Sequence, residues 1–417
     1  MAIIPNPHKT TGLLGWIDDR FPLTKLWKDH LAEYYAPKNF NFWYFFGSLA
    51  LLVLVNQLLT GIFLTMNYKP GADTAFDSVQ YIMRDVPYGW LIRYLHATGA
   101  TAFFVVVYAH MFRGIMYGSH RKPRELIWVF GALIYLCLMA EAFCGYVLPW
   151  GNMSYWGAEV IISLFGTVPY IGDALQTWIQ GDFSPADATL NRLFSMHVIA
   201  LPFVLVGLVA AHIIALHEVG SNNPDGVEIK KKKDPVTHIP LDGIPFHPYY
   251  TVKDLVGVAG FLIIFAAVIL FAPEGGGMVL EKPNFIPANP QVTPDEITPA
   301  WYFGVFYAML RGVPSMFNSQ FPGVVVMFAA VLILFFLPWL DRSPVKSIRY
   351  KGTLSKIALV LFAADFVMLN YLGMNKPDPT RTLLARIGTV VYFGFFISLW
   401  LIPKFEKTKP EPERVTE

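Results

Sequence analysis

The sequence predicts an all-α integral membrane protein of eight transmembrane helices, and three observations carry that prediction. Of 417 residues, 54% are hydrophobic and only 15% are charged, well short of the quarter or so found in soluble domains. The apolar residues gather into charge-poor runs close to the ~20 residues a helix needs to cross the hydrocarbon core. Lysine and arginine concentrate on every second connection between those runs, the pattern expected when alternate connections face the cytoplasm. The net charge of +2 says little beside that placement.

In chain order the runs are Phe42–Met66, Tyr94–Phe112, Leu126–Trp150 (containing Glu141), Leu193–Leu216, Leu255–Ala272, Phe321–Leu340, Ile357–Leu372 (containing Asp365) and Ile387–Pro403. Eight crossings return the chain to its starting side. That side holds 22 of the 32 Lys and Arg residues, among them Arg121, Lys122, Arg124 and the run Lys230–Lys233. Both termini are therefore expected in the cytoplasm, with the lysine run against anionic membrane lipid rather than nucleic acid. The first 40 residues lack an apolar signal core, so no cleaved signal peptide is expected. A polar, lysine-rich and turn-rich stretch interrupts the pattern near the middle. It suggests an N-terminal four-helix bundle over residues 1–220, a cytoplasmic linker over 221–253, and a C-terminal four-helix lobe with outer surface helices over 254–417.

On the opposite side, the connections 148–190 and 273–320 contain apolar pieces too short to span, Trp156–Phe165 and Trp301–Leu310. These are expected as surface or re-entrant helices that roof a cavity. Glu274-Gly275-Gly276-Gly277 follows a span and opens no βα unit, so it is a flexible loop and not a phosphate cradle. The only cysteines, Cys137 and Cys144, lie in the third span and are expected to pack there. Asp365 is expected to hydrogen-bond inside the seventh span.

Four histidines carry the chemistry. His96 and His110 are 14 residues apart in the second run, and His197 and His212 are 15 apart in the fourth. A 14-residue step is roughly 21 Å along a helix and returns to nearly the same face. Two such helices side by side would therefore present two opposed imidazole pairs, one near each membrane surface. Histidine in lipid is costly, and opposed imidazoles suit the two axial positions of haem iron. The first and third runs repeat the interval, with Gly47 and Gly61 14 apart and Gly131 and Gly145 14 apart. Glycine lets another group approach a membrane helix closely, so these four positions would give clearance for two flat macrocycles. Alternating helix direction places His96, His197, Gly61 and Gly145 at the outer level and His110, His212, Gly47 and Gly131 at the inner level. Arg93 and Arg113 stand one turn from His96 and His110, where guanidinium groups could pair with haem propionates or snorkel to headgroups. The 15-residue step adds about 100° of rotation, and Pro202 predicts a kink or widened turn that restores the face. No Cys-x-x-Cys-His occurs, so both haems are expected to be non-covalent, b-type groups. With both axial positions filled, such haems transfer electrons and do not bind substrate.

The chain resembles cytochrome b of the quinol–cytochrome c oxidoreductase, respiratory complex III, of the bacterial type. The resemblance rests on the histidines and on GYVLPWGNMSYWGA (145–158), LHEVGSNNP (216–224), PFHPYYTVKD (245–254) and PAWYFGVFYAMLR (299–311), in that order along nearly the whole chain. Fusion of both lobes in one chain favours the respiratory form, and the 15-residue step is similar to that of photosynthetic relatives and some bacterial members. The resemblance implies quinol oxidation near the outer face, with one electron passing to a Rieske iron–sulfur protein and cytochrome c1. The other electron crosses both haems to reduce quinone near the cytoplasm. It also implies a homodimeric complex in a bacterial inner membrane. For the inner quinone site, His217, Asp254 and Lys253 are the expected proton suppliers.

The outer site departs from the family pattern. Most members carry Pro-Glu-Trp-Tyr, and here the motif is Pro299-Ala300-Trp301-Tyr302. Another acid must replace the missing one, and Glu159, just past Gly157 in the lid segment, is the first candidate, with Glu141 and Glu296 behind it. Tyr146, Tyr302, Tyr307 and Gly157 are expected around the pocket. Two other functions compete: a di-haem membrane-anchor cytochrome of a dehydrogenase, and a transporter with histidine-lined sites. The anchor has no need of the outer roof, and the transporter no need of glycines at the histidine interval.

Overall fold

The computed structural model describes residues 12–28, 32–316 and 318–416. Among them, eight helices are long and apolar enough to cross a membrane: Phe42–Thr65, Gly89–Tyr117, Glu125–Val147, Asp187–Val219, Phe246–Phe271, Phe321–Leu340, Thr353–Gly373 and Pro379–Lys404. Each expected run lies within or closely overlaps one of them. Several helices extend beyond the runs at their polar ends, where headgroups and water tolerate charge. The fifth span begins at Phe246, not near Leu255, so His247, Lys253 and Asp254 occupy its first turns. Local signals set the ends. Gly118, at φ 69°, closes the second span in a left-handed cap. Asp378 caps the eighth by accepting from the Arg381 N–H, with Pro379 at its first position. The first eleven residues, part of the stretch read as lacking a signal core, lie outside the described residues.

The fourth span contains the expected irregularity. Met196–Ala200 forms a π turn, in which the Leu201 N–H reaches back five residues to the Met196 carbonyl. Such a turn absorbs one extra residue, and Pro202, which has no N–H to donate, follows it at once. The widened turn offsets the additional rotation of the 15-residue step.

On the outer side, the apolar pieces are short helices, Asn152–Gly166 (the lid helix) and Gly304–Gly312, the latter preceded by a 3-10 turn, Trp301–Phe303. Helices at Ala75–Arg84 and Gly172–Gln180 also occur there; neither carries an apolar run long enough to have been expected. The two long connections are clamped together. Asn152 N–H donates to the Ile286 carbonyl and Ala288 N–H to the Trp150 carbonyl, each at 3.0 Å. Asn284 bridges to Ser154, accepting from its N–H and donating to its Oγ, both at 2.9 Å. The triple-glycine loop is a 3-10 turn with φ of 57°, 65° and 93° at Gly275, Gly276 and Gly277, values that only glycine adopts readily.

At the other end, residues 221–253 are partly buried and tied into the fold. Asn222, Asn223, Asp225 and Asp242 are buried. Tyr35–Pro37 pairs antiparallel with Gly243–Pro245, Tyr35 opposite Pro245, a small sheet that no alternating pattern announced. Ion pairs hold this floor together, because buried charge must be matched. Arg124 grips both carboxylate oxygens of Glu228 at 2.6 and 2.9 Å, and Lys346 also pairs with Glu228. Asp225 receives Arg349 at 3.0 Å, Asn39 at 2.9 Å and Thr416 at 2.8 Å. Asp341 lies between His120 and Lys351, at 3.2 and 2.8 Å. The N-terminal flank, the middle connection and the C-terminal tail thus meet on one side.

One apolar core, including Leu49, Phe104, Tyr135, Tyr302, Leu337 and Phe396, passes through both groups of four spans. Cys137 and Cys144 are free and buried within the packing. Asp365 departs from expectation: both its carboxylate oxygens are buried without a hydrogen-bond partner.

Burial alone would raise the Glu228 carboxyl, but the hydrogen bonds and charges of Arg124 and Lys346 outweigh it and bring it down to about 2. A carboxylate depressed in this way stabilises the fold above its unfolded value and loses that contribution as pH falls through its folded one. Glu228→Gln is expected to lower the thermal unfolding midpoint of the detergent-solubilised protein by roughly 5 °C at pH 7. The gap from the native protein should narrow as pH falls from about 5 toward 2; equal midpoints at pH 7 would contradict this role.

Candidate functional site

The second and fourth spans bring the four histidines together in two pairs. The ring centres of His96 and His197 are 6.1 Å apart, and those of His110 and His212 are 6.4 Å apart. Two imidazoles on opposite sides of one metal, with bonds of roughly 2 Å, hold their centres about 6 Å apart. The glycines of the first and third spans face these rings at the levels assigned to them. A Cβ on Gly61 would come within 3.4 Å of His96, on Gly47 within 3.3 Å of His110, and on Gly131 within 3.4 Å of His212; on Gly145 it would collide with the His197 ring.

Two of the histidines are oriented through Nδ1. His96 Nδ1 lies 2.9 Å from Thr60 Oγ1, and His197 Nδ1 lies 3.0 Å from both the Glu141 carbonyl and its carboxylate. Those contacts leave each Nε2 available, the usual arrangement of a metal-binding imidazole. At His110 one Arg113 nitrogen lies beside both ring nitrogens, 3.2 Å from Nδ1 and 3.4 Å from Nε2. His212 Nδ1 is buried without a partner, as are the Arg113 Nε and the Tyr44 hydroxyl. Among the described residues, no group of three or more His, Cys, Asp or Glu is placed to hold a metal. Two nitrogens are too few for a protein-only site, so a metal bound here needs its other ligands from a macrocycle.

The inner histidine pair opens into a cavity of about 790 Å³ whose walls include Gly47, Gly131, Arg113, His217, Lys253 and Asp254. The expected inner-site residues therefore share one space with the inner pair. His217 stacks on Tyr34, ring centres 4.7 Å apart, and Lys253 sits over the Tyr250 ring at 5.3 Å. Tyr34 and Tyr250 went unremarked in the sequence because nothing local marks an aromatic as a cavity wall. Lys230, the first of the run expected against anionic lipid, donates to the carbonyls of His217 and Glu218.

The outer residues are divided. Gly157 faces Tyr146, at 3.5 Å from its ring to a Cβ built there. Tyr302 is buried and stacked flat on Phe104 at 3.9 Å, its carbonyl accepting from the Tyr108 hydroxyl at 2.5 Å. Tyr307 instead donates to the Ile297 carbonyl at 3.3 Å and carries the Arg311 guanidinium on its ring. None of the three acids expected from the sequence is placed against Tyr146 or Tyr302. Glu159, two residues and about 200° from Gly157 on the lid helix, turns away and accepts from Gln180 at 3.3 Å; burial raises its carboxyl. Glu141 is committed to His197, and Glu296 pairs with Lys376 at the surface.

The carboxylate that does reach this region is Glu281, overlooked in the sequence because it lies in an irregular polar stretch. It faces Tyr146, Tyr302 and Arg93. Burial pushes its carboxyl up to about 7, against the opposing pull of Tyr146 and Arg93.

Comparison with known proteins agrees with this geometry. The family described as cytochrome b/b6/petB matches residues 31–220, and that described as cytochrome b (C-terminal)/b6/petD matches residues 287–393. The chain is 61% identical to cytochrome b of Allochromatium vinosum, covering 97% of this chain and 98% of that one. It is 48% identical to cytochrome b of Rickettsia bellii over 99% of both. A solved chain of a hyperthermophilic respiratory complex III superposes with a TM-score of 0.86 at 38% identity, over 94% of this chain and 99% of that one. Eight apolar helices, two opposed histidine pairs and these near full-length matches lead to one conclusion: the chain belongs to the cytochrome b family.

Proposed function

We propose that this chain is the di-haem subunit of a proton-translocating quinol–cytochrome c oxidoreductase in a bacterial inner membrane. It oxidises quinol near the outer face and reduces quinone near the cytoplasmic face. The observation that carries this reading is the pair of ring-centre distances, 6.1 and 6.4 Å, at two levels of one bundle. His96 and His197 would hold the outer haem iron, and His110 and His212 the inner one. When bound, each haem supplies a one-electron carrier with no open coordination position.

The chain's own residues do the rest. Thr60 and the Glu141 carbonyl fix the tautomers of His96 and His197 by taking up Nδ1. Gly47, Gly61, Gly131 and Gly145 keep side-chain carbon out of the ring planes. Arg93 and Arg113 supply guanidinium donors for carboxylate-bearing edges. In the inner cavity His217, Lys253 and Asp254 hold protons within reach of a quinone oxygen. Tyr146 and Tyr302 wall the outer pocket.

In this reading residues 1–220 form the di-haem bundle, 221–253 the cytoplasmic linker and 254–417 the second lobe, with both termini in the cytoplasm. The partners are a Rieske iron–sulfur protein, cytochrome c1 and a second copy of the complex, embedded in membrane lipid. Cytochrome b relatives over the full length, together with the clamped outer roof, favour this reading over the dehydrogenase anchor.

Pyridine haemochrome analysis of the purified chain is expected to find two protohaems, and Gly145→Val should lose one of them. A single haem in the native chain, or both retained in the variant, would refute the cage. In the assembled complex, His217→Leu or Asp254→Leu is expected to slow reoxidation of the inner haem at least 10-fold while quinol oxidation persists. Stopped-flow absorbance at the b-haem bands measures this, and unchanged reoxidation in both variants would remove these residues from the inner site.

A further inference from the structure

Ala300 leaves the outer pocket without the acid its motif normally carries, and the geometry points to where that acid has moved. Glu281 immediately precedes the 3-10 turn Lys282–Phe285. That turn is pinned to the start of the lid helix through Asn284 and Ser154, and the Gly151 Cα is packed so tightly against Asn284 that a Cβ would not fit. The chain beyond it is held by the Ile286 and Ala288 backbone bonds. So anchored, Glu281 is directed inward, facing Tyr146 at the end of the third span, Tyr302 after Ala300, and Arg93 at the start of the second span. Its neighbour Lys282 is exposed to solvent. The buried Tyr146 hydroxyl has no partner at ordinary hydrogen-bond distance, and the Glu281 carboxyl is the acceptor it faces. A hydroxyl and a carboxyl loosely opposed, with a tyrosine and an arginine alongside, can take a ligand's polar oxygen between them.

We propose that Glu281 is the proton acceptor of the outer quinol site, replacing in space the acid missing at position 300, with the Tyr146 hydroxyl binding the same quinol oxygen. This rests on the quinol-oxidising reading above. Hydroquinone releases two protons and two electrons. As one phenolic O–H bond breaks, a carboxyl O–H bond forms on Glu281, and the second proton leaves with the iron–sulfur partner. The two electrons go to the one-electron acceptors already named, the iron–sulfur centre and the outer haem. Only the ionised carboxylate can accept, so turnover should rise with pH through the neutral range, where Glu281 titrates in the company of Arg93, Tyr146 and Tyr302.

The test uses the complete complex with Glu281→Gln and Glu281→Asp. Quinol-dependent cytochrome c reduction is expected to fall about 100-fold in Glu281→Gln and to lose its inflection near neutral pH, while Glu281→Asp keeps part of the rate with the inflection displaced. Infrared difference spectra between acid and alkaline samples should show a carboxyl C=O band titrating near neutrality that is absent from Glu281→Gln. Both haem spectra, and reduction of the inner haem by quinol with the outer site blocked, should be unchanged, which separates failure of Glu281 from failure of the di-haem reading. A native rate and pH profile in Glu281→Gln, or persistence of the band, would overturn the proposal.

Discussion

An imidazole placed between helices in a bilayer must satisfy two ring nitrogens where water cannot help. That constraint organises the first four spans. For His96 and His197, Nδ1 is met by protein oxygen, from Thr60 and from Glu141. The two ring centres lie 6.1 Å apart, a separation suited to one metal between them. The glycines follow from the same demand. At Gly145 even a methyl group would strike His197, and at Gly61 it would just touch His96. Irregular backbone follows too: the π turn Met196–Ala200 exists because a 15-residue interval and a 14-residue interval must end on facing sides.

The outer and inner ends obey different rules. At the inner end, charge is dense and paired: Glu228, Asp225, Asp242 and Asp341 each receive at least one cation across stretches far apart in sequence. These contacts close the floor around the large cavity and position Lys230 against the helix end that carries His217. The outer end is held by neutral bonds instead, chiefly backbone amides and asparagines linking residues 150–154 with 284–288. An uncharged clamp suits a place where ionisable groups must stay free to change state.

What was legible in the sequence was whatever obeys a period or a solvent rule. Eight spans could be read from run length, and the histidine–glycine levels from a repeated interval, because lipid penalises every exception. The π turn was legible through Pro202 and one surplus residue. What could not be read was long-range pairing. The Tyr35–Pro37 strand, the buried middle connection and the partners of Tyr307 depend on which distant segments meet, and no local pattern records that. Glu159 looked suitable from its place near Gly157, but a two-residue step on a helix points a side chain to the opposite face. Glu281 sits in a segment without periodicity, so only the folded chain brings it to Tyr146 and Tyr302. Asp365 was expected to hydrogen-bond in its span, and neither of its buried oxygens meets a protein partner.

The clamp between the lid helix and residues 284–288 has a mechanical consequence. Because Asn284 is fastened to Ser154 at one end and Glu281 lies only three residues away, the lid helix and this carboxylate behave as parts of one lever. A displacement of the lid helix would therefore carry Asn284 with it, and so the short segment that bears Glu281.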